Sequence, residues 1–187
     1  MPTVTEISSR YIDEVADLDP VRGERWGVAS DPTRLTDYSP AGYEGLRELL
    51  GRTLEVLATA DPPADEAERL GAGFLEDWIG GEAGVIDAGE RERGLSIIVG
   101  PPASTRSVFD LMDQSTRGGW ENIAARLRAV PGCMDGYRAT LQAGLDHGRP
   151  AARRQALAVA EQCATWAGNG DGGWFGGFVA GAAKAGA

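Results

Sequence analysis

The residues of this chain that could do chemistry are few and widely separated. His147 is the only histidine, so neither an HExxH zinc site nor a Cys2His2 site can be completed from this sequence. Its position just before Gly148 reads instead as the last turn of a helix, where a partly positive ring meets the negative end of the helix dipole. Cys133 and Cys163 stand thirty residues apart with no CxxC, which argues against a metal or redox pair. One bridge between them is conceivable, but two buried, inert thiols are expected. A Cys–His nucleophile pair is the sharper alternative.

Gly168, Gly170 and Gly173 spell GxGxxG. The dinucleotide fingerprint needs a strand before it, a helix after it and an acid about 20 residues on. Here a helical pattern precedes it, so a flexible glycine hinge is expected. There is no GxxxxGK[ST], GxSxG or SxxK, and serine catalysis lacks a base. Carboxylates such as Asp61, Asp65, Glu66, Glu68, Glu76, Asp77 and Glu82 are scattered, and no pair falls in an apolar setting that would raise a pKa. Hard cations such as Mg²⁺ take oxygen ligands, but no EF-hand or DxD spacing is present. The sequence therefore assigns no catalytic, cofactor-binding or metal residue.

The chain has 187 residues and a net charge of -10. That balance argues against a protein that grips nucleic acid through a basic face. The charge is uneven: residues 1–93 hold 21 acids and 9 bases, a net of -12, and residues 94–187 hold 7 acids and 9 bases. Such an excess reads first as a solvated helical face, and second as a surface that docks on a basic one. The first nineteen residues have neither the basic start nor the apolar core of a signal peptide. The charge-free stretch from Gly172 to Ala183 is shorter than the ~20 residues a bilayer span needs. No membrane association and a cytoplasmic location are expected. Arginine outnumbers lysine 17 to 1, which reads as the imprint of a GC-rich genome.

The elements that would position these residues are helices. Leu46, Leu49, Leu50, Leu54 and Leu57 recur at helical spacing after the cap-and-proline start Ser39-Pro40, and Asp61-Pro62-Pro63 ends the run. A second long helix is expected from Asp65, with Leu70, Phe74, Trp78, Ile79 and then Ile86 as its apolar stripe and a kink near Gly80, Gly81 and Gly84. Leu95 to Val99, closed by Gly100-Pro101-Pro102, is β-branched but has no partner strand, so an extended segment over residues 95–103 is expected to cross a helical surface. A short helix should hold Val108, Leu111 and Met112. Trp120, Ile123, Ala124, Leu127 and Val130 form one face, and Pro131 is expected to start a new helix with Met134, Tyr137, Leu141 and Leu145. Pro150 opens another, carrying Leu157, Val159, Cys163 and Trp166.

The expected fold is all-α, an antiparallel bundle of six to eight helices, with no internal repeat. Residues 1–167 form the helical domain. Residues 168–187 are the glycine hinge and the start of a further helix that looks interrupted. Trp174, Phe175, Phe178 and Val179 on that helix either cap the core or form an exposed patch for a partner.

Several stretches together resemble the N-terminal part of the bacterial domain-of-unknown-function family 885. They run in order from Asp19-Pro20-Val21 and Trp26-Gly27-Val28, through Asp37-Tyr38-Ser39-Pro40, Glu68-Arg69-Leu70 and Val108-Phe109-Asp110-Leu111-Met112. The series continues with the stretch from Trp120-Glu121-Asn122-Ile123 to Val130-Pro131, then Gly136-Tyr137-Arg138, Arg149, Arg154-Gln155, Trp174-Phe175 and Phe178-Val179. The family is similar to helical zinc metallopeptidases, whose HExxH helix lies well downstream of the region matched here.

The resemblance implies a helical N-terminal portion, not catalytic alone, that packs on a missing C-terminal catalytic region and walls one side of its cleft. Zinc is expected only in a full-length member, so this chain has no cofactor of its own. One departure is visible: the family usually carries acids before Trp120, where this sequence has Gly118-Gly119. The competing expectation is a freestanding helical module that binds a protein partner. Bare Trp174, Phe175 and Phe178 would favour the fragment, and packed ones the module.

Overall fold

A computed structural model describes residues 1–168 and 173–184. Eight α-helices and two 3-10 turns account for its regular structure, with no strand among the described residues. The all-α expectation holds.

The first helix, α1 (Val4–Leu18), starts in a capping box between Thr3 and Glu6. Its buried Ile7, Tyr11 and Val15 recur every four residues. Asp19 then caps α2 (Pro20–Trp26), which stops at Gly27, a left-handed residue at φ 69°. Ser39 and Pro40 start α3 (Pro40–Ala58) as expected, and Asp65 caps α4 (Glu66–Asp87). Arg47 near the start of α3 pairs with Asp87 at the end of α4, so these two helices run antiparallel. Leu46, Leu50 and Ile79 lock them against α1 in the first core.

The apolar stripe of α4 is divided. Leu75 and Ile79 are buried, whereas Leu70, Phe74 and Trp78 are 58%, 68% and 50% exposed. Leu75 and Ile79 are spaced to meet α1 and α3, while the other three fall on the adjoining outer stripe. The helix also continues through Gly80, Gly81 and Gly84 without interruption.

After a 3-10 turn over Glu90–Glu92, residues 94–100 are irregular. Tyr137 donates to the Gly94 carbonyl at 2.8 Å and Gln162 to the Ile97 carbonyl at 2.9 Å, which holds this segment across a helical surface. The extended stretch ends sooner than residue 103. Pro101 begins α5 (Pro101–Ser107), because proline suits a first helical position, and a 3-10 turn over Val108–Asp110 follows.

The longest helix, α6 (Arg117–Asp146), is a correction to the sequence reading. Pro131 lies inside it and starts nothing. An internal proline costs about 3 kcal/mol, but each half is separately anchored. Ile123 enters a second core with Phe109 and Trp120, and Tyr137 enters a third with Tyr38, Leu95 and Val159. Gly144 lets the Glu90–Glu92 turn approach, since a side-chain carbon there would strike the Glu92 carbonyl.

Gly119 has a physical reason, whereas Gly118 faces open space. A side-chain carbon on Gly119 would strike the Asp113 carbonyl oxygen, and Thr116 supplies the cap by accepting from the Gly119 amide at 3.1 Å.

The last two helices are α7 (Arg153–Ala167), which begins three residues after Pro150, and α8 (Gly173–Lys184). The expected hinge falls largely on residues 169–172 and, with residues 185–187, lies outside the described residues.

Candidate functional site

The largest apolar feature of the surface is a trough of about 730 Å³ between α1, α4 and the end of α2. Its shape follows from residue size. Small side chains line its α1 wall at Thr5, Ser8 and Ser9, and Ala67 and Gly71 line α4 opposite. Large apolar groups then rise at one end: Phe74 and Trp78 from α4, Trp26 from α2 and Ile12 from α1. The Phe74 and Trp78 rings stack with centroids 6.2 Å apart, and the Arg22 guanidinium lies 5.7 Å from the Trp26 ring.

The two charged residues that line the trough are both acidic. Asp65 and Glu68 are the charged residues that line the trough, Asp77 stands one turn from Phe74, and Asp13 one turn from Ser9. None of these four acids makes an ion pair among the described residues. The nearest cations on the same helices are engaged elsewhere, Arg69 with Glu66 and Arg10 with Glu14. Arg22 is held by Glu82, at 2.7 and 3.0 Å, in a half-buried bidentate clamp beneath the trough.

The residues singled out for chemistry do not converge. His147 caps α6, and its Nδ1 lies 3.1 Å from the Glu92 carboxylate, which also accepts from Arg149 at 2.6 and 2.9 Å. Partial desolvation raises the Glu92 pKa, but the donors Arg149 and His147 outweigh it and hold the carboxyl below its ordinary value. The cluster ties α6 to the 3-10 turn. Among the described residues no three His, Cys, Asp or Glu side chains are arranged to hold a metal ion.

Cys133 and Cys163 are both free and half-buried, and they pack in the third core. Burial pushes the Cys133 thiol up to about 11, against a lowering contact from Thr105, and burial likewise raises Cys163. Neither thiol is activated, and His147 belongs to the Glu92 cluster. Gly168 ends α7 at φ 80° and Gly173 opens α8, while Gly170 lies outside the described residues. The element before the motif is a helix, where the dinucleotide fingerprint requires a strand.

Trp174, Phe175 and Phe178 pack into the second core, with ring centroids 5.9–6.3 Å from Phe109. Arg106 covers Trp174 at 4.3 Å. Val179 stays 47% exposed.

Sequence reasoning missed two features. Arg126 is fully buried, donating to the Arg34 and Asp31 carbonyls and to Glu24. Its place between Ile123 and Leu127 at helical spacing was the available signal. The trough itself was missed because Trp26 of α2 and the Phe74 and Trp78 pair of α4 stand far apart in sequence.

The described residues form an all-helical bundle with three hydrophobic cores and an apolar trough between α1 and α4. The chain belongs to the family described as bacterial protein of unknown function (DUF885), which it matches over residues 20–185. No curated protein matches it. No helix among the described residues is long and apolar enough to cross a membrane.

Proposed function

We propose that this chain is the N-terminal helical portion of a metallopeptidase-like peptide hydrolase, packing on a catalytic part and shaping its cleft. It is not catalytic alone. The observation that carries this reading is the outer face of α4, where Leu70, Phe74 and Trp78 stand open to solvent beside Trp26. Large apolar side chains grouped in this way are stabilised when another protein surface removes them from water, by about 25 cal/mol per Å² of apolar area.

The described residues do not fit zinc: His147 is bound to Glu92 and Arg149, and among the described residues no set of three ligands stands ready for a metal ion. The hydrolytic chemistry of the family resemblance would therefore lie in the catalytic part, and this chain's contribution would be to bind and orient that part. Two unbridged thiols suit a reducing compartment, which supports a cytoplasmic location.

A second reading, a freestanding helical interaction module, is favoured by one observation. Trp174, Phe175 and Phe178 pack within this chain's own second core. The test is to express the natural coding product read in frame past Ala187. An HExxH segment with one bound zinc and peptidase activity supports the first reading. A stop directly after Ala187, with a stable folded chain, supports the second.

A further inference from the structure

We propose that the trough between α1 and α4 receives one amphipathic α-helix with a basic border. This rests on the reading that the α4 face docks on protein, and it names the chemistry of what docks there.

Length, floor and charge together select that occupant. Asp65 to Trp78 covers thirteen rises of α4, or about 20 Å at 1.5 Å per residue. That length accepts a helix of three to four turns lying along α1 and α4. The small residues Ser8, Ala67 and Gly71 leave room for a helix backbone to approach, and Phe74, Trp78 and Trp26 offer apolar contacts to side chains at i, i+3, i+4 and i+7. Addition of an extended strand has no template, because the walls are helices whose backbone groups are already paired.

The border then fixes the sign. Asp65 and Glu68 line the trough at the start of α4, and Asp77 and Asp13 stand one turn from its lining residues Phe74 and Ser9, all four without ion pairs among the described residues, in a half of the chain whose net charge is -12. An acidic or neutral helix would leave these carboxylates unpaired or opposed. Lysine or arginine on both edges of the incoming helix would meet them and direct its encounter.

The experiment is a titration of the 187-residue chain against a fluorescein-labelled 16-residue peptide, read by fluorescence anisotropy. The peptide carries leucines at i, i+3, i+4 and i+7 and lysines along both edges. A matched peptide replaces every lysine with glutamate. The expected result is binding of the lysine peptide, about tenfold or more tighter than the glutamate peptide, and weakening as salt rises.

The double substitution Phe74→Ala with Trp78→Ala should weaken binding about tenfold or more while helical circular dichroism stays unchanged, since both side chains are exposed. Ser8→Trp, which fills the trough without removing an anchor, should do the same. No binding of the lysine peptide overturns the proposal. Equal binding of both peptides, or binding untouched in the Phe74/Trp78 variant, also overturns it. So does a homodimer in sedimentation that dissolves with that variant, or tighter binding of a proline-rich peptide. The titration needs neither zinc nor a catalytic part, so its failure is separate from failure of the proposed function.

Discussion

The rings of Phe74 and Trp78 stack 6.2 Å apart at an interplanar angle of 21°, on the outside of α4. One turn of helix separates them, and neither contributes to the first core that Ile79 closes from the same helix. Their removal should therefore leave stability nearly untouched. In urea unfolding, Phe74→Ala should change stability by no more than about 0.5 kcal/mol, whereas Ile79→Ala, at a fully buried position, should cost about 2–5 kcal/mol. Equal losses at the two positions would mean that α4 packs differently.

Arg126 makes the opposite case. Its side chain has no exposed surface, and its three donor nitrogens reach Glu24 and two backbone carbonyls in the segment after α2. Truncation to alanine would strand a partly buried carboxylate and leave a cavity, so Arg126→Ala should cost about 3–5 kcal/mol. Arg126→Met fills the space without the charge and should lose less. Chemical denaturation of the two variants side by side checks the order.

How much of this was legible in the sequence depends on which force set each feature. Ser39-Pro40 and Asp65 act on their own neighbours, and both helix starts were read correctly. Helical periodicity shows that Leu70, Phe74, Leu75 and Ile79 are apolar on one broad side of α4. It does not show which part of that side meets α1 and α3, because this is decided by distant packing. Pro131 was misread for the same reason: its local preference was outweighed by anchors at Ile123 and Tyr137. The acidic excess of residues 1–93 was legible, but not that two of its carboxylates line a trough.

The acid side of the stability profile should depend on Asp113. Ser115 and Thr116 donate to its carboxylate from their hydroxyls and Ser115 also from its amide, lowering it to about 2. The folded value lies below the unfolded one, so the contribution is complete above about 4 and is lost as pH falls through about 2. Glu92 is lowered as well, for the donors Arg149 and His147, and acts with the same sign. Carboxyl ¹³C titration should place Asp113 near about 2, and Asp113→Asn should flatten that part of the stability curve.

The thiols predict the alkaline side. Cys133 is raised to about 11 by burial, so the folded state favours its neutral form. That contribution is complete below the unfolded value of about 8.5 and is lost as pH rises through about 11. A thiol reagent should label Cys133 slowly at neutral pH and rapidly after unfolding in urea. Fast labelling of the folded chain would contradict the buried setting.

The central claim is that the α4 face is covered when the whole protein is assembled. Hydroxyl-radical footprinting compares the 187-residue chain with its full natural coding product. The account predicts that Phe74 and Trp78 react several-fold more slowly in the full product, while exposed Ile98 keeps its rate. Equal rates at Phe74 and Trp78 in the two samples would contradict it.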